Sequence, residues 1–175
     1  MVTERVFFRT VTKDRIDIVE LVLSLLDKTG AGYCVVGGLA VNAYAEPVVS
    51  LDLDLVVVSD RIDALSQAAR DAGMKVEEFP HSINLSVSGS DLRVQLQTDF
   101  RYQDFLPRSE QREVLGYEMT VACLGDVLQG KVWAYSDETR RKSKRQKDLA
   151  DIMRLVETYP ILKTHLPSAI ADQLD

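Results

Sequence analysis

Residues 33–58, YCVVGGLAVNAYAEPVVSLDLDLVVV, contain two apolar, largely β-branched runs on either side of a glycine pair. Such runs predict two buried strands, Tyr33–Val36 and a second strand that carries Asp52 and Asp54. Strand side chains alternate between faces, so the two carboxylates leave the same face. Like charges held together there need a counter-charge, and a divalent cation is the simplest one. An isolated Asp-x-Asp is more typical of a strand end at which both carboxylates reach water. The residues that precede the motif therefore decide between a solvated strand end and a metal site.

The glycine pair joins the first strand to a segment of helix-forming composition, Leu39–Ala45. Glycines at such a turn allow close backbone approach, and free N–H groups at a helix start attract an anion. The surrounding residues form neither the phosphate loop that ends in Gly-Lys-Ser/Thr nor the GxGxxG dinucleotide fingerprint. Taken alone, Gly37 and Gly38 favour an ordinary strand-to-helix turn.

The order and spacing of the two motifs are more specific than either motif alone. Thirteen residues separate Gly38 from Asp52. This arrangement resembles the core motif of the nucleotidyltransferase-fold superfamily, in which hydrophobic-Gly-Gly/Ser precedes Asp-hydrophobic-Asp/Glu. The resemblance implies an α/β (α+β) fold with a small mixed β-sheet flanked by helices. It also implies Mg²⁺- or Mn²⁺-dependent transfer of a nucleoside monophosphate from an NTP to an acceptor hydroxyl. Asp52 and Asp54 would be catalytic and metal-binding, and Gly37, Gly38 and Ser50 would bind the nucleotide.

The C-terminal part carries a second motif, in which Lys131 on a predicted helix precedes a basic turn and Lys147-Asp148-x-x-Asp151. This motif resembles the AbiEii-like, abortive-infection branch of the superfamily, which includes nucleotide-transferring toxins of toxin–antitoxin pairs. The resemblance implies that Lys131 contacts the triphosphate, that Asp148 helps to organise the site, and that a cognate toxin or antitoxin protein is a partner. Two alternatives stay open. Lys131 would be a surface lysine with its stem on apolar surface, or Asp148 would pair with Lys144 one helical turn away.

The usual third carboxylate of the superfamily has no acidic equivalent in the predicted strand Leu92–Thr98. By spacing, Gln95 takes its place as a metal ligand, and Gln97 is the other central candidate. A glutamine oxygen binds a cation weakly, and glutamine cannot accept a proton from an attacking hydroxyl. Asp91 and Asp99 flank the strand and would substitute if the register shifted. The alternative function is therefore a catalytically degenerate protein of this fold that binds nucleotide, RNA or a partner protein.

Basic residues are concentrated in one segment, although the chain has a net charge of −6. Residues 139–147, TRRKSKRQK, hold six of its 21 Lys and Arg residues. Such a patch on an acidic protein is typical of a site for a polyanion. It favours RNA, particularly tRNA, as the acceptor through residues 140–147, and nucleotide binding by Arg140, Arg141 and Lys144. A solvated helix start without a ligand explains the run equally well, and a small antibiotic-modifying transferase would not need it.

Length and composition favour a single domain, 1–175, with a core at about 14–122 and a helical part at about 123–175. The order of the predicted elements suits a small mixed sheet with the Asp-x-Asp strand at its centre and C-terminal helices that close one side of a cleft. A loop that contains Pro107 is expected before the last strand pair. The predicted helices span 14–28, 61–72, 125–135 and 145–159, and the predicted strands include 83–87 and 92–98, joined by the turn SGSD, and a pair around Gly116. Cys34 and Cys123 lie in apolar segments and predict buried free thiols. No apolar run suits a membrane span or a signal peptide, so a cytoplasmic protein is expected.

Overall fold

The computed structural model describes residues 2–174 of the chain. Seven strands form one sheet: β1 (Tyr33–Val36), β2 (Asp52–Val57), β3 (Lys75–Phe79), β4 (Ser82–Ser86), β5 (Arg93–Gln97), β6 (Glu110–Val114) and β7 (Tyr117–Val121). The helices are α1 (Glu4–Val11), α2 (Ile18–Thr29), α3 (Gly37–Val41), α4 (Ile62–Asp71), α5 (Leu124–Ser136), α6 (Lys142–Thr158) and α7 (Ser168–Ala171). Short 3-10 helices cover Ser59–Arg61, Phe100–Arg108 and Pro160–His165.

The strand that carries both aspartates, β2, lies at the centre of the sheet, whose order is β3-β4-β5-β2-β1-β7-β6. It pairs antiparallel with β1 and parallel with β5, and β1 pairs parallel with β7. Leu53 and Leu55 are fully buried, whereas Asp52 and Asp54 on the opposite face are partly exposed. One face of β2 therefore packs into the core while the other presents carboxylates. The predicted mixed α/β sheet with this strand at its centre is confirmed.

The helices form two groups of contacts. α2 contacts α4, and both contribute fully buried apolar side chains, among them Ile18 and Leu65. α3, α5 and α6 contact one another, and α3 also contacts β1 and β2. Because α3 follows β1 directly, the second group lies beside the turn at Gly37. The C-terminal helices therefore close one side of a cleft over the sheet, as the sequence predicts.

The helix predicted from residue 14 begins later, at Ile18, because two aspartates cap its first turn. The Asp14 carboxylate accepts a hydrogen bond from the backbone N–H of Ile18 at 2.9 Å. Asp17 adopts a left-handed conformation (φ 57°) and accepts a hydrogen bond from Glu20 N–H at 3.3 Å. Both aspartates are buried, so the cap is part of the core rather than a solvated helix end.

Three elements differ from the sequence predictions. α1 and β3 were not predicted, and the 3-10 helix Phe100–Arg108 lies where we expected a loop. β3 reads KVEEF with mostly exposed side chains, so it lacks the apolar alternation that identifies a strand. Both cysteines are free, as predicted, although Cys123 is only partly buried. Within residues 2–174, every helix is too short or too polar to cross a bilayer.

Candidate active site

A cleft with a volume of about 680 Å³ lies over the carboxylate face of β2. The sheet contributes Gly37, Asp54 and Gln95 to its lining, and the C-terminal helices contribute Lys131 and Asp148. Residues from the two motifs thus meet in one cavity, although Asp54 and Asp148 are far apart in the chain. Arg140 from the basic segment also lines this cleft.

The two glycines of the turn have different local roles. Gly37 has φ +70°, and a Cβ atom there would lie only 2.9 Å from Cγ of Asp54. Any other residue would therefore be strained and would collide with the carboxylate. Gly38 lies in the first turn of α3, and a Cβ there would meet Ser50 Oγ at an ordinary 3.6 Å. Gly37 is thus required by Asp54, whereas a Cβ atom at Gly38 would make only ordinary contacts.

The carboxyl group of Asp54 ionises less readily than that of an ordinary aspartate. Burial raises the pKa of Asp54 to about 6, against the lowering effect of Lys131. The neighbouring charge of Asp52 raises it further, while Arg140 and Lys144 lower it. An additional cation at this position would stabilise the ionised form.

Asp52 already lies beside two cations. Arg93 on β5 is its in-register neighbour and places Nη2 2.8 Å from Asp52 Oδ1. Lys144 Nζ from α6 lies 3.4 Å from Oδ2. The Ser50 hydroxyl accepts a hydrogen bond from Asp52 N–H at 3.3 Å, so this predicted nucleotide-binding residue supports the start of β2. Sequence analysis did not identify Arg93, because its proximity to Asp52 depends on the pairing of β2 with β5.

Lys131 is buried, with 6% of its surface exposed, so the interpretation as a surface lysine is wrong. Its ammonium lies 2.9 Å from Asp148 Oδ1 and 2.6 Å from Asp151 Oδ2. Burial lowers the pKa of Lys131, but the two carboxylates more than offset this effect and the net shift is upward. Lys131 therefore binds α5 to α6 through a charged contact inside the protein.

The remaining partners of the two α6 aspartates are arginines. Arg140 donates through Nε to Asp148 at 2.8 Å, and Arg154 donates to Asp151 at 2.8 Å. The suggested pairing of Asp148 with Lys144 is wrong, because Lys144 contacts Asp52 instead. Each of these buried carboxylates has two cationic neighbours, which makes their burial energetically tolerable.

Gln95 lies beside Asp54 in the register of the parallel pair β2–β5. On its other side, Gln95 is paired with Asn84 of β4, whose Oδ1 atom is buried and has no hydrogen-bond partner among residues 2–174. Gln97 is paired with Val56, one step further along the sheet, and also lines the cleft. The spacing of residues in the sequence therefore identified Gln95, which the structure places next to Asp54.

The two acidic residues considered as substitutes for the third carboxylate make other contacts. Asp91 forms an ion pair with Lys13 at 3.1 Å. Asp99 lines the cleft, but its carboxylate is bound by Arg101 at 2.7 Å. Neither residue lies in the row of Asp54 and Gln95, so no register shift brings a third carboxylate into it.

The oxygen donors around β2 fit one divalent cation. Asp52 and Asp54 lie on one face of the strand, and the amide of Gln95 lies beside Asp54. Carboxylate and amide oxygens are the ligands that Mg²⁺ takes in proteins. Among residues 2–174, no cluster of three His, Cys, Asp or Glu side chains is arranged to hold a metal ion. The donor set supports one weakly chelated ion better than a pair of ions.

The basic segment is divided between the interior and the surface. Arg140 and Lys144 face Asp148 and Asp52, as described above. Arg145 donates through Nε to the carbonyl of Tyr135 at 2.7 Å. The other three basic side chains of the segment are exposed: Arg141, Lys142 and Lys147. Three of the six basic residues in the predicted anion-binding patch therefore form contacts within the protein.

One wall of the cleft is aromatic, which sequence analysis did not predict. Trp133 on α5 stacks on Phe105, with ring centroids 5.6 Å apart and planes at 10°. Tyr102 meets Trp133 edge-on at 5.3 Å, and the guanidinium of Arg101 lies over the indole at 4.8 Å. Three of these residues, Arg101, Tyr102 and Trp133, line the cleft. Tyr102 and Phe105 of the 3-10 helix meet α5 only in the folded chain, so their spacing in the sequence does not predict this contact.

Comparisons with known proteins concern the fold. No protein-family model matches the sequence, and no curated protein matches it. The chain is similar to ANT(2'')-Ia in complex with adenylyl-2''-tobramycin, with a TM-score of 0.66 and 14% identity over 90% of this chain and 94% of that one.

Two further solved structures are similar to this chain. Lincomycin-bound LnuA, a lincosamide antibiotic adenylyltransferase, has a TM-score of 0.55 and 11% identity over 78% of this chain and 95% of its own. An antigenic nucleotidyltransferase-like protein from Paracoccidioides brasiliensis has a TM-score of 0.52 and 16% identity over 95% and 84%, respectively. The narrower AbiEii-like assignment stays a prediction. At these identities the similarity concerns architecture, and the chain has the nucleotidyltransferase fold.

Proposed function

We propose that this protein transfers a nucleoside monophosphate from an NTP to an acceptor hydroxyl. One observation carries the proposal: Asp54 lines a cleft whose turn residue Gly37 lies against it. Asp52 leaves the same face of the central strand, where it contacts Arg93 and Lys144 rather than lining the cleft. Transfer of this kind depends mainly on positioning the phosphates and neutralising their charge. A bare backbone turn, two carboxylates and nearby arginine and lysine side chains meet both needs.

Each residue of the site has a distinct part in this proposal. Gly37 and Arg140 both line the cleft, so the backbone N–H of Gly37 and the guanidinium of Arg140 would approach the triphosphate there. The N–H of Gly38, the next residue of the same turn, would add to this contact. Asp52, Asp54 and Gln95 would hold Mg²⁺ or Mn²⁺, which supplies neutralisation of phosphate charge when bound. In the row of Asp54, Gln95 and Asn84, Asp54 alone can accept a proton.

Lys131 acts in this proposal as a positioning residue rather than as a phosphate ligand. Its ammonium is shared by Asp148 and Asp151, so it holds α6 against α5. Asp148 in turn fixes Arg140 at 2.8 Å. The charge that reaches the phosphates is then the guanidinium of Arg140, and Lys131 sets its position.

We prefer RNA, particularly tRNA, as the acceptor. The exposed side chains of Arg141, Lys142 and Lys147 lie at the start of α6, next to Arg140 in the chain. Within residues 2–174 these three cations make no side-chain hydrogen bond or ion pair, and they follow the cleft residue Arg140 in the chain, so they suit a polyanion that extends beyond the cleft. A cognate toxin or antitoxin partner would be a further function of such a protein.

A small hydroxyl compound is the second candidate acceptor. The inward contacts of Arg140 and Lys144 favour it, since they leave only part of the basic segment for RNA. ANT(2'')-Ia and LnuA, named above, are captured with tobramycin and lincomycin compounds, and their architecture matches this chain over most of its length. A catalytically degenerate nucleotide-binding protein is the non-enzymatic alternative, favoured by Gln95 and by the cations already beside Asp52.

Label transfer from each of the four α-labelled NTPs tests the proposal. The acceptors are total tRNA, bulk protein and a panel of small polyhydroxyl antibiotics, with Mg²⁺ or Mn²⁺ present. Asp54→Asn is the inactive variant and Asp60→Asn, at an exposed aspartate outside the cleft, is its matched control. Label that appears with the wild type and Asp60→Asn but vanishes with Asp54→Asn supports transfer and names the acceptor class. Binding of NTP without any transfer contradicts it and favours the degenerate protein.

A further inference from the structure

Arg101 is held in one orientation although its side chain is 58% exposed. Asp99 accepts hydrogen bonds from Nε and Nη2 of Arg101 at 3.0 and 2.7 Å. The guanidinium lies over Trp133 at 4.8 Å from the ring centroid. Trp133 is itself fixed by its stack on Phe105. A planar cation that is backed by an indole and tethered by a carboxylate therefore faces open space in the cleft.

The guanidinium of Arg101 lies in the same cleft as Gly37, far enough from it for a nucleotide to reach between them. Gln95 marks the position of Asp54, and Gln97 is roughly 7 Å further along the same strand at the usual strand rise. Asp99 and Arg101 follow the end of β5 and line the same cavity. A ligand whose phosphates lie at Gly37 would thus extend along β5 toward Arg101.

We propose that Arg101, held by Asp99 and Trp133, is the platform on which the base of the bound nucleotide stacks. The inference rests on the proposed function and identifies the part of the cleft that takes the base. Guanidinium planes stack on nucleobases, and stacking accepts every base because each has a π-face.

Arg101 is better suited to contact a nucleobase than a phosphate. The charge of Arg101 is already balanced by Asp99, and two of its N–H groups are used in that pair. The surface it presents to the cleft is therefore its flat face rather than a free set of donors. Gln97, whose amide makes no hydrogen bond within the described residues, lies nearby to read the edge of the base.

Equilibrium binding of two probes tests the platform. The probes are the α,β-methylene analogue of each NTP, which cannot be cleaved, and inorganic tripolyphosphate, which has no base. Trp133 is the single tryptophan of the chain, so its fluorescence reports binding without any catalysis. We expect the wild type to bind at least one NTP analogue about tenfold more tightly than tripolyphosphate.

Two substitutions of Arg101 separate the flat face from the charge. Arg101→Met and Arg101→Lys are both expected to weaken NTP binding about tenfold and to leave tripolyphosphate binding within about twofold. Arg108→Met is the matched control, because Arg108 is 53% exposed and forms a similar two-point pair with Asp126 outside the cleft lining. It should bind both probes as the wild type does.

Four results would overturn the inference. NTP binding that survives in Arg101→Lys, or equal losses for both probes, would make Arg101 a charge for phosphates. A wild type that binds tripolyphosphate as tightly as every NTP analogue would remove the base site and leave the proposed function standing. A wild type that binds neither probe would overturn the proposed function itself.

Discussion

The carboxylate of Asp54 lies directly against the Cα atom of Gly37, with Cγ 2.9 Å from the place that a Cβ atom would occupy. The contact follows from the pairing of Val36 with Asp54 across β1 and β2. The turn and the carboxylate to which the proposed function assigns the phosphates and the cation are thus in contact with each other. The glycine is required here for the carboxylate as well as for the turn.

Gly37→Ala should destabilise the protein by at least about 2 kcal/mol, because it adds backbone strain at φ +70° and a collision with Asp54. Gly38→Ala should leave the free energy of unfolding unchanged or raise it by up to about 1 kcal/mol, since it lies in a helix and meets no atom closer than 3.6 Å. Urea unfolding compares the two variants. Equal destabilisation by both would contradict the separate roles of the glycines.

Stability should depend on pH through Asp54 in metal-free protein. Burial raises the pKa of Asp54 from 3.8 to about 6, so the folded state holds a proton that the unfolded chain has already released. Stability should then fall as the pH rises from about 4 to about 6, by up to about 3 kcal/mol. Asp54→Asn should remove this part of the slope and exceed the wild type in stability at pH 7. Unfolding curves measured in EDTA compare the stability of the two proteins. An Asp54→Asn variant that is less stable than the wild type at pH 7 would contradict the prediction.

Lys131→Met should cost about 3–5 kcal/mol, because it leaves Asp148 and Asp151 buried without their shared cation. Lys75→Met, at an exposed lysine paired with Glu77, should change stability by less than about 0.5 kcal/mol. Thermal unfolding measures both changes. A stable Lys131→Met protein that fails to bind tripolyphosphate would instead assign the lysine to the phosphates.

Gln95→Asp should tighten Mn²⁺ binding about tenfold, since it adds a carboxylate next to Asp54. Gln97→Asp introduces the same charge two residues along β5, beside Val56, and should have a smaller effect. Titration followed by the paramagnetic signal of free Mn²⁺ measures both affinities. Equal gains would mean that the added charge matters rather than its position, and would remove Gln95 from the ligand set.

Neutralising Arg141, Lys142 and Lys147 to glutamine should weaken tRNA binding and reduce the slope of log K against log salt by about 2–3. The matched control removes the same charge at exposed positions elsewhere: Lys13, Lys28 and Lys75. An unchanged salt slope in the first variant would remove RNA as the acceptor and favour the small hydroxyl compound.

The sequence predicted the parts of the site that depend on local patterns. Apolar runs located β1 and β2, and alternation placed Asp52 and Asp54 on one face. Spacing along the chain selected Gln95, and the register of β2 with β5 places it beside Asp54. These features were accessible because strand periodicity fixes side-chain direction without reference to the rest of the fold.

The features that were missed depend on pairing between distant segments. Arg93 is an ordinary charged residue at the start of a strand until parallel pairing places it beside Asp52. Arg101 and Trp133 likewise meet only when the 3-10 helix packs against α5. Burial of Lys131 was missed because a lone lysine on a helix is normally solvated, and two aspartates on α6 reverse that preference.

The parallel pairing of Val35 with Val121 has a consequence for how the chain folds. β1 receives one neighbour early, from β2, but its other neighbour, β7, comes from residues 117–121. Closing so long a loop is slow, so the strand that ends at Gly37 keeps one open edge during synthesis until most of the chain has emerged. An open edge on a central strand invites pairing with another chain. Fragments that end before residue 117 should therefore aggregate, and the surroundings of the turn at Gly37 should be completed only late in folding.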